Sequence, residues 1–196
     1  MNKSRLEAFS DGVFAIIITI MVLELKIPDS AGLHAIQHMA PEFICYLLSF
    51  VYVGIYWNNH HHLMHTARRV NAAIMWSNMH LLFWLSLVPF ATGWMGRTHF
   101  DKITVAVYSG LMILCGIAYT ILSKAITKTH THETDLTKAL AKGDIKGLIS
   151  VVLYGVSIPV ALFVHPLISA VLIGAVAILW LIPSKAIEKA LEQEHR

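Results

Sequence analysis

The chain has 196 residues, 56% of them apolar and only 14% charged, a balance well outside that of a soluble globular domain and one that points to a membrane protein. Its net charge of +3 lies almost entirely in short connections between apolar blocks, so it speaks of orientation in a bilayer and carries no nucleic-acid signature. The two cysteines, Cys45 and Cys115, sit alone in separate apolar blocks and give neither a disulfide framework nor a paired-cysteine metal site.

A window of about 20 residues moved along the chain predicts spans at 5–26, 43–66, 72–95, 104–124, 146–165 and 166–183, one six-helix unit covering residues 1–196. The first is unusual. Its apolar stretch from Gly12 to Leu23 makes only about 18 Å of helix, too short for a hydrocarbon core of about 30 Å. To cross, the helix must run back through Phe9, Ser10 and Asp11 and forward through Glu24. A secretory signal reads poorly here, because Glu7 and Asp11 occupy its basic and apolar regions and Glu24-Leu25-Lys26 ends the run without a small-residue cleavage site.

Farther along, Pro89 and Pro159 fall mid-span and are expected to kink their helices. The one sizeable connection, 127–146, contains 135–143, which reads as a short capped helix on the cytoplasmic side. His165-Pro166 ends the fifth span and starts the sixth, and Pro183 closes it. Twelve of the fifteen Lys and Arg residues fall on the side of the N-terminus when connections are assigned alternately, which predicts two cytoplasmic termini and an even number of spans.

Four motifs resemble a known family. Arg5-x-x-x-Phe9-Ser10-Asp11 opens the first span, Trp57-x-x-His60 lies late in the second, and Asn78-x-x-x-Leu82 with Pro89-Phe90-x-Thr92 marks the third. Together they resemble the transmembrane protein 175 family of potassium-selective channels. Since the first motif occurs once, the resemblance implies a prokaryotic homotetramer, an all-α membrane protein with six transmembrane helices per subunit around a central pore lined by the first helix. It implies passive K+ conduction in the plasma membrane with no cofactor, the partners being K+, the lipid bilayer and other copies of the chain. It further implies that rings of aliphatic side chains gate and select, with Ile16, Ile20 and Leu23 at the constrictions and the Thr19 hydroxyl beside them. Arg5, Phe9, Ser10, Asp11, Trp57, His60 and Asn78 are expected to form a structural network.

Helical geometry is compatible with that assignment. At 100° per residue Ile16, Thr19, Ile20 and Leu23 share one stripe about 100° wide, and Asp11 lies about 140° from Ile16. Asp11 is therefore expected to point into helix packing, where Arg5, His60 or Asn78 would partner it. Glu24 would give a shallow negative mouth, offset by Lys26. Periodicity alone reads Ile16, Ile20 and Leu23 as an ordinary buried helix face.

The run His60-His61-His62-x-x-His65, together with His130-x-His132-Glu133, raises an alternative: a cation-diffusion-type zinc transporter, which also has six helices and a cytoplasmic histidine-containing loop. Its transport site needs a carboxylate in the fifth span, and none lies between Ile145 and His165. No metal site is therefore expected. Nor is an enzyme, for the HExxH of intramembrane metalloproteases is missing from the sequence.

Overall fold

The computed structural model describes residues 2–28, 32–67, 69–129 and 135–181, with 135–144 given by backbone only. Seven helices follow in order: α1 (Lys3–Leu23), α2 (Leu33–Thr66), α3 (Ala72–Ser86), α4 (Val88–Arg97), α5 (Lys102–Thr127), α6 (Asp135–Phe163) and α7 (Pro166–Leu181). No strand occurs among the described residues. The helices α3 and α4 form one apolar stretch, Ala72–Arg97, so the described residues make six apolar helical stretches. Five of the six stretches are long and apolar enough to cross a membrane, and α7, at 16 residues, is shorter.

Helix starts coincide with polar caps at the edge of apolar runs. The Asn71 side chain accepts the Ile74 N–H at 2.9 Å, and that of Asp101 accepts the Ile103 N–H at 2.9 Å. Between α4 and α5 the turn is tight. The Phe100 N–H reaches back to the Met95 carbonyl and the His99 N–H to the Gly96 carbonyl, each at 3.0 Å. This places His99 and Phe100 in the left-handed region, at φ 52° and 59°, a conformation more often given to glycine.

Several expectations need correction. Pro89 does not kink a continuous helix: the helix ends at Ser86, and Pro89 sits in the first turn of α4, where its missing N–H costs nothing. The segment 135–143 is continuous with the helix of the fifth apolar stretch, α6, rather than a separate helix. Glu24 caps α1 instead of lying within it. α2 begins at Leu33, ten residues before the predicted span, because hydropathy marks the bilayer and not the helix. Pro183, His130, His132 and Glu133 lie outside the described residues.

α5 is the hub of the packing, touching α2, α3, α4, α6 and α7, whereas α1 packs chiefly against α2, α3 and α4 among the described residues. Buried hydroxyls tie the layers together. Thr92 Oγ1 lies 2.7 Å from Ser49 Oγ, which lies 2.9 Å from the Tyr108 hydroxyl, joining α4, α2 and α5. Ser157 donates to Ser109 at 2.7 Å, and Ser169 donates to the Ser157 carbonyl at 2.7 Å, joining α6 to α5 and α7. Helices in lipid gain little from apolar contact with one another, so such bonds and close backbone approach hold the bundle.

The closest approach is at Gly96, where an added Cβ would stand 2.8 Å from Glu42 Cα, a backbone atom that cannot swing aside. At Gly93 the nearest atom would be the end of the Glu24 side chain at 3.2 Å. Gly96→Ala is therefore expected to cost about 1–3 kcal/mol by forcing α2 from α4, and Gly93→Ala less. Thermal unfolding of the two variants in detergent checks that order.

Candidate functional site

The faces of α1 differ in burial rather than in polarity. Leu6, Ser10, Phe14, Ile17 and Met21, spaced by three and four residues, are buried against the neighbouring helices. On the other side Ile16 is 57% exposed, Ile20 42% and Leu23 80%, and Thr19 is exposed as well. The protomer thus presents the four stripe residues outward as one apolar face, unlike the buried face that periodicity suggests. Thr19 Oγ1 donates to the Ile16 carbonyl at 2.9 Å, so its hydrogen is spent within the helix and its lone pairs face out.

A directed chain of three hydrogen bonds fixes this rotation. Asn78 Nδ2 donates to Ser10 Oγ at 2.9 Å, which makes Asn78 Oδ1 the acceptor of its 2.7 Å contact with His60 Nε2. The proton of the neutral His60 ring is assigned to Nε2 on that basis. Ser10 then donates to the Leu6 carbonyl at 2.8 Å. All three side chains are buried, and the Phe14 ring packs on His60 with centroids 5.4 Å apart. One residue from each of α1, α2 and α3 is thereby locked.

Asp11 lies on the exposed side of α1, and its partner is none of the three considered from the sequence. The Trp57 indole N–H donates to Asp11 Oδ1 at 2.9 Å. A carboxylate 46 residues away from a tryptophan gives no sequence signal beyond their membership in quoted motifs. The Trp57 ring stacks on His61 with centroids 6.0 Å apart, and His61 meets His65 at 4.5 Å. Lys3 Nζ donates to the His65 carbonyl at 2.8 Å and lies 3.9 Å from Glu7. Phe9 and Arg5 are exposed, and Arg5 has no hydrogen bond or ion pair among the described residues.

At the other end of α1, Glu24 is paired with Arg97 at 2.5 Å, both about two-fifths exposed, and Arg97 also donates to the Glu24 carbonyl at 3.3 Å. The negative mouth expected of Glu24 is therefore neutralised, and by Arg97 rather than Lys26. The two carboxylates at the margins of the first apolar run are thus tethers, one to α2 and one to α4. Sequence reasoning also missed the Ser49–Thr92–Tyr108 contact, although Thr92 stood in a quoted motif. No group of three metal-ligating side chains occurs among the described residues, His61 and His65 being a pair.

Replacing Asn78 with Ala leaves buried donors and acceptors on Ser10 and His60 without partners, at about 1–3 kcal/mol for each orphaned group. Trp57→Phe removes one bond to an exposed carboxylate and is expected to cost less than Asn78→Ala. Thermal stability of the purified variants tests this ranking.

Comparison with known proteins follows the same residues. The family model for the endosomal/lysosomal potassium channel TMEM175 matches residues 5–89. A potassium channel of Chryseobacterium sp. (strain P1-3) is 49% identical over 98% of this chain and 100% of its own length. The human endosomal/lysosomal proton channel TMEM175 is 32% identical over 103 residues, 46% of this chain and 20% of that one. The crystal structure of a lysosomal potassium-selective channel TMEM175 homolog from Chamaesiphon minutus superposes with a TM-score of 0.79 at 27% identity, covering 92% of this chain and 96% of that one.

Proposed function

The chain belongs to the transmembrane protein 175 family of potassium channels, and from that premise we propose how it conducts. Four copies, each one six-helix unit, surround a central pore to which each contributes the exposed face of α1. Rings of Ile16, Ile20 and Leu23, with Thr19 between them, gate and select. The observation that supports this reading is the contrast in burial across α1: the bond between Ser10 and Asn78 locks one face against the neighbouring helices and leaves Ile16, Ile20 and Leu23 outward with the Thr19 side chain among them.

Aliphatic rings offer no ligands to replace a hydration shell, so a narrow ring empties of water and blocks, and a wider one passes a partly hydrated ion. K+ holds its water less firmly than Na+ and loses part of it at lower cost, which gives the preference its direction. The cation sign follows from the helix itself. The C-terminal end of α1 carries unpaired carbonyls, equivalent to roughly half a negative charge per helix, and four such ends converge beside Leu23. Flux is passive and needs no cofactor.

The zinc-transporter alternative is set aside, because the whole-length relative is named a potassium channel. The distribution of Lys and Arg supports cytoplasmic termini, and the bacterial source of a relative matched along its whole length supports a prokaryotic plasma membrane.

In a planar bilayer with K+ on one side and Na+ on the other, the expected reversal potential is displaced toward K+ preference. A second arm with a pH gradient measures proton passage, the property named for the human relative. Ile16→Asn and Leu23→Ala are expected to raise open probability and to bring the potential toward zero. Unchanged permeability ratios in both would refute the assigned lining.

Breaking the Glu24–Arg97 tether affects the same stripe from outside it. Arg97→Ala is expected to leave folding nearly unchanged, since a half-exposed pair contributes only about 0–1 kcal/mol, but to alter the closed-time distribution in single-channel records. The double exchange Glu24→Arg with Arg97→Glu is expected to restore it.

A further inference from the structure

A crevice on the side of the protomer away from α1 is unused by conduction. It lies among α2, α5, α6 and α7 and, with its open mouth, encloses about 830 Å³. Three helices line it with residues at i, i+3, i+4 and i+7 positions, Tyr52 to Asn59, Gly116 to Ser123 and Gly147 to Tyr154, so it runs about 10 Å along the helix axes. Trp180 closes it from α7.

The space is real rather than a product of loose packing at one side chain. A Cβ on Gly147 would meet nothing within 4 Å, and one on Gly116 would only reach Val151 at 3.9 Å and the Tyr56 hydroxyl at 4.0 Å. Bundles pack densely, and a crevice that follows three helices for two turns forfeits contact along its walls unless something lies in it.

Its two ends differ in chemistry. At the deep end the rings of Tyr52 and Tyr154 stand 6.3 Å apart, and the Tyr52 hydroxyl is spent on the Ile173 carbonyl, which leaves ring faces. Toward the end of α2 and α5 stand three polar atoms with no hydrogen-bond partner among the described residues: the Tyr56 hydroxyl, Asn59 Oδ1 and Ser123 Oγ. Other hydroxyls nearby are committed, Thr120 to the Gly116 carbonyl at 2.9 Å and Ser150 to the Lys146 carbonyl at 2.8 Å. Groups left open at membrane depth call for a partner that the hydrocarbon cannot supply. None of the lining residues is charged, so nothing there would offset a phosphate, a carboxylate or an ammonium group.

We propose that this crevice binds an uncharged glycerolipid from the bilayer, its free hydroxyls on Tyr56, Asn59 and Ser123 and its chain along the Tyr52 and Tyr154 rings. The bilayer supplies such molecules at high local concentration, and a monoacylglycerol head presents two hydroxyl donors for the open acceptors.

Native mass spectrometry of the full chain, released from detergent containing equal amounts of monoolein, oleate and oleoyl lysophosphatidylcholine, tests this. Wild-type protein is expected to retain monoolein in preference to the two charged amphiphiles. Gly147→Leu, which fills the crevice, is expected to lower that adduct at least about tenfold, and Tyr56→Phe, which keeps the shape, roughly fivefold. Equal retention of all three amphiphiles, or an unchanged monoolein adduct in Tyr56→Phe, would overturn the proposal. Should Gly147→Leu not fold, Ser123→Ala replaces it and carries the same expectation as Tyr56→Phe.

Discussion

Water is missing from the interior of a bilayer, so every polar side chain there must find its partner within the protein, and the buried chain from His60 through Asn78 to Ser10 is where this constraint acts most firmly. Its bonds require three helices at one depth and one rotation. A slip of α1 by one residue would turn it about 100° and leave an amide and an imidazole unpaired in hydrocarbon. Hence the side chain of Ser10, the buried polar group of α1, decides which residues of the helix face outward.

Ties elsewhere follow the same rule with different partners. Hydroxyls join α2, α4 and α5, and a serine cluster joins α5, α6 and α7, while Gly96 lets α4 press against the backbone of α2. α1 enters this framework unevenly. Its first half is held by the buried chain and by Asp11 on Trp57, whereas its last turn is held by an ion pair open to solvent. Exposed pairs contribute little and are screened by salt, so the Leu23 end has the least to lose by moving. A helix fixed at one end and loosely tethered at the other suits a constriction that must change width.

Much of the architecture was legible because bilayer crossing is a matter of length and hydropathy, and those are written residue by residue. What escaped were features set by neighbours in space. Hydropathy could not place the start of α2, since His34, Gln37, His38 and Glu42 are helical yet polar. The break at Leu87 precedes Pro89 because a proline is accommodated best in a helix's first turn. For the site, periodicity could not say which side of α1 is buried, as the helix is apolar on nearly all sides and its rotation depends on Ser10 meeting Asn78. Charge pairing points Asp11 to cationic and amide groups, yet the indole N–H of Trp57, a donor with no acceptor of its own to satisfy, serves it instead.

The exposed face of α1 carries more than aliphatic residues, and this bears on assembly. Asp11 lies eight residues from the start of the helix, about 12 Å along it, and Arg5, nearer the start, is exposed as well. A carboxylate at that depth with one hydrogen bond would be costly if it faced lipid, by an amount approaching the roughly 2.5–3.5 kcal/mol found for charged residues at a helix centre. A lone chain in a bilayer would expose both groups as well as Ile16, Ile20 and Leu23 over the surface of α1 that its own helices leave uncovered, with Asp11 about 140° round the helix from Ile16. Lipid suits the aliphatic part of that surface and not the charged part, and bulk water suits the reverse. Both demands are met if copies of the chain gather α1 at a shared axis, where the charged residues reach an aqueous entrance or a neighbouring subunit and the aliphatic residues form the dry constriction beyond it. The same arithmetic that forbids an unpaired carboxylate in hydrocarbon therefore favours the assembly in which the stripe becomes a pore.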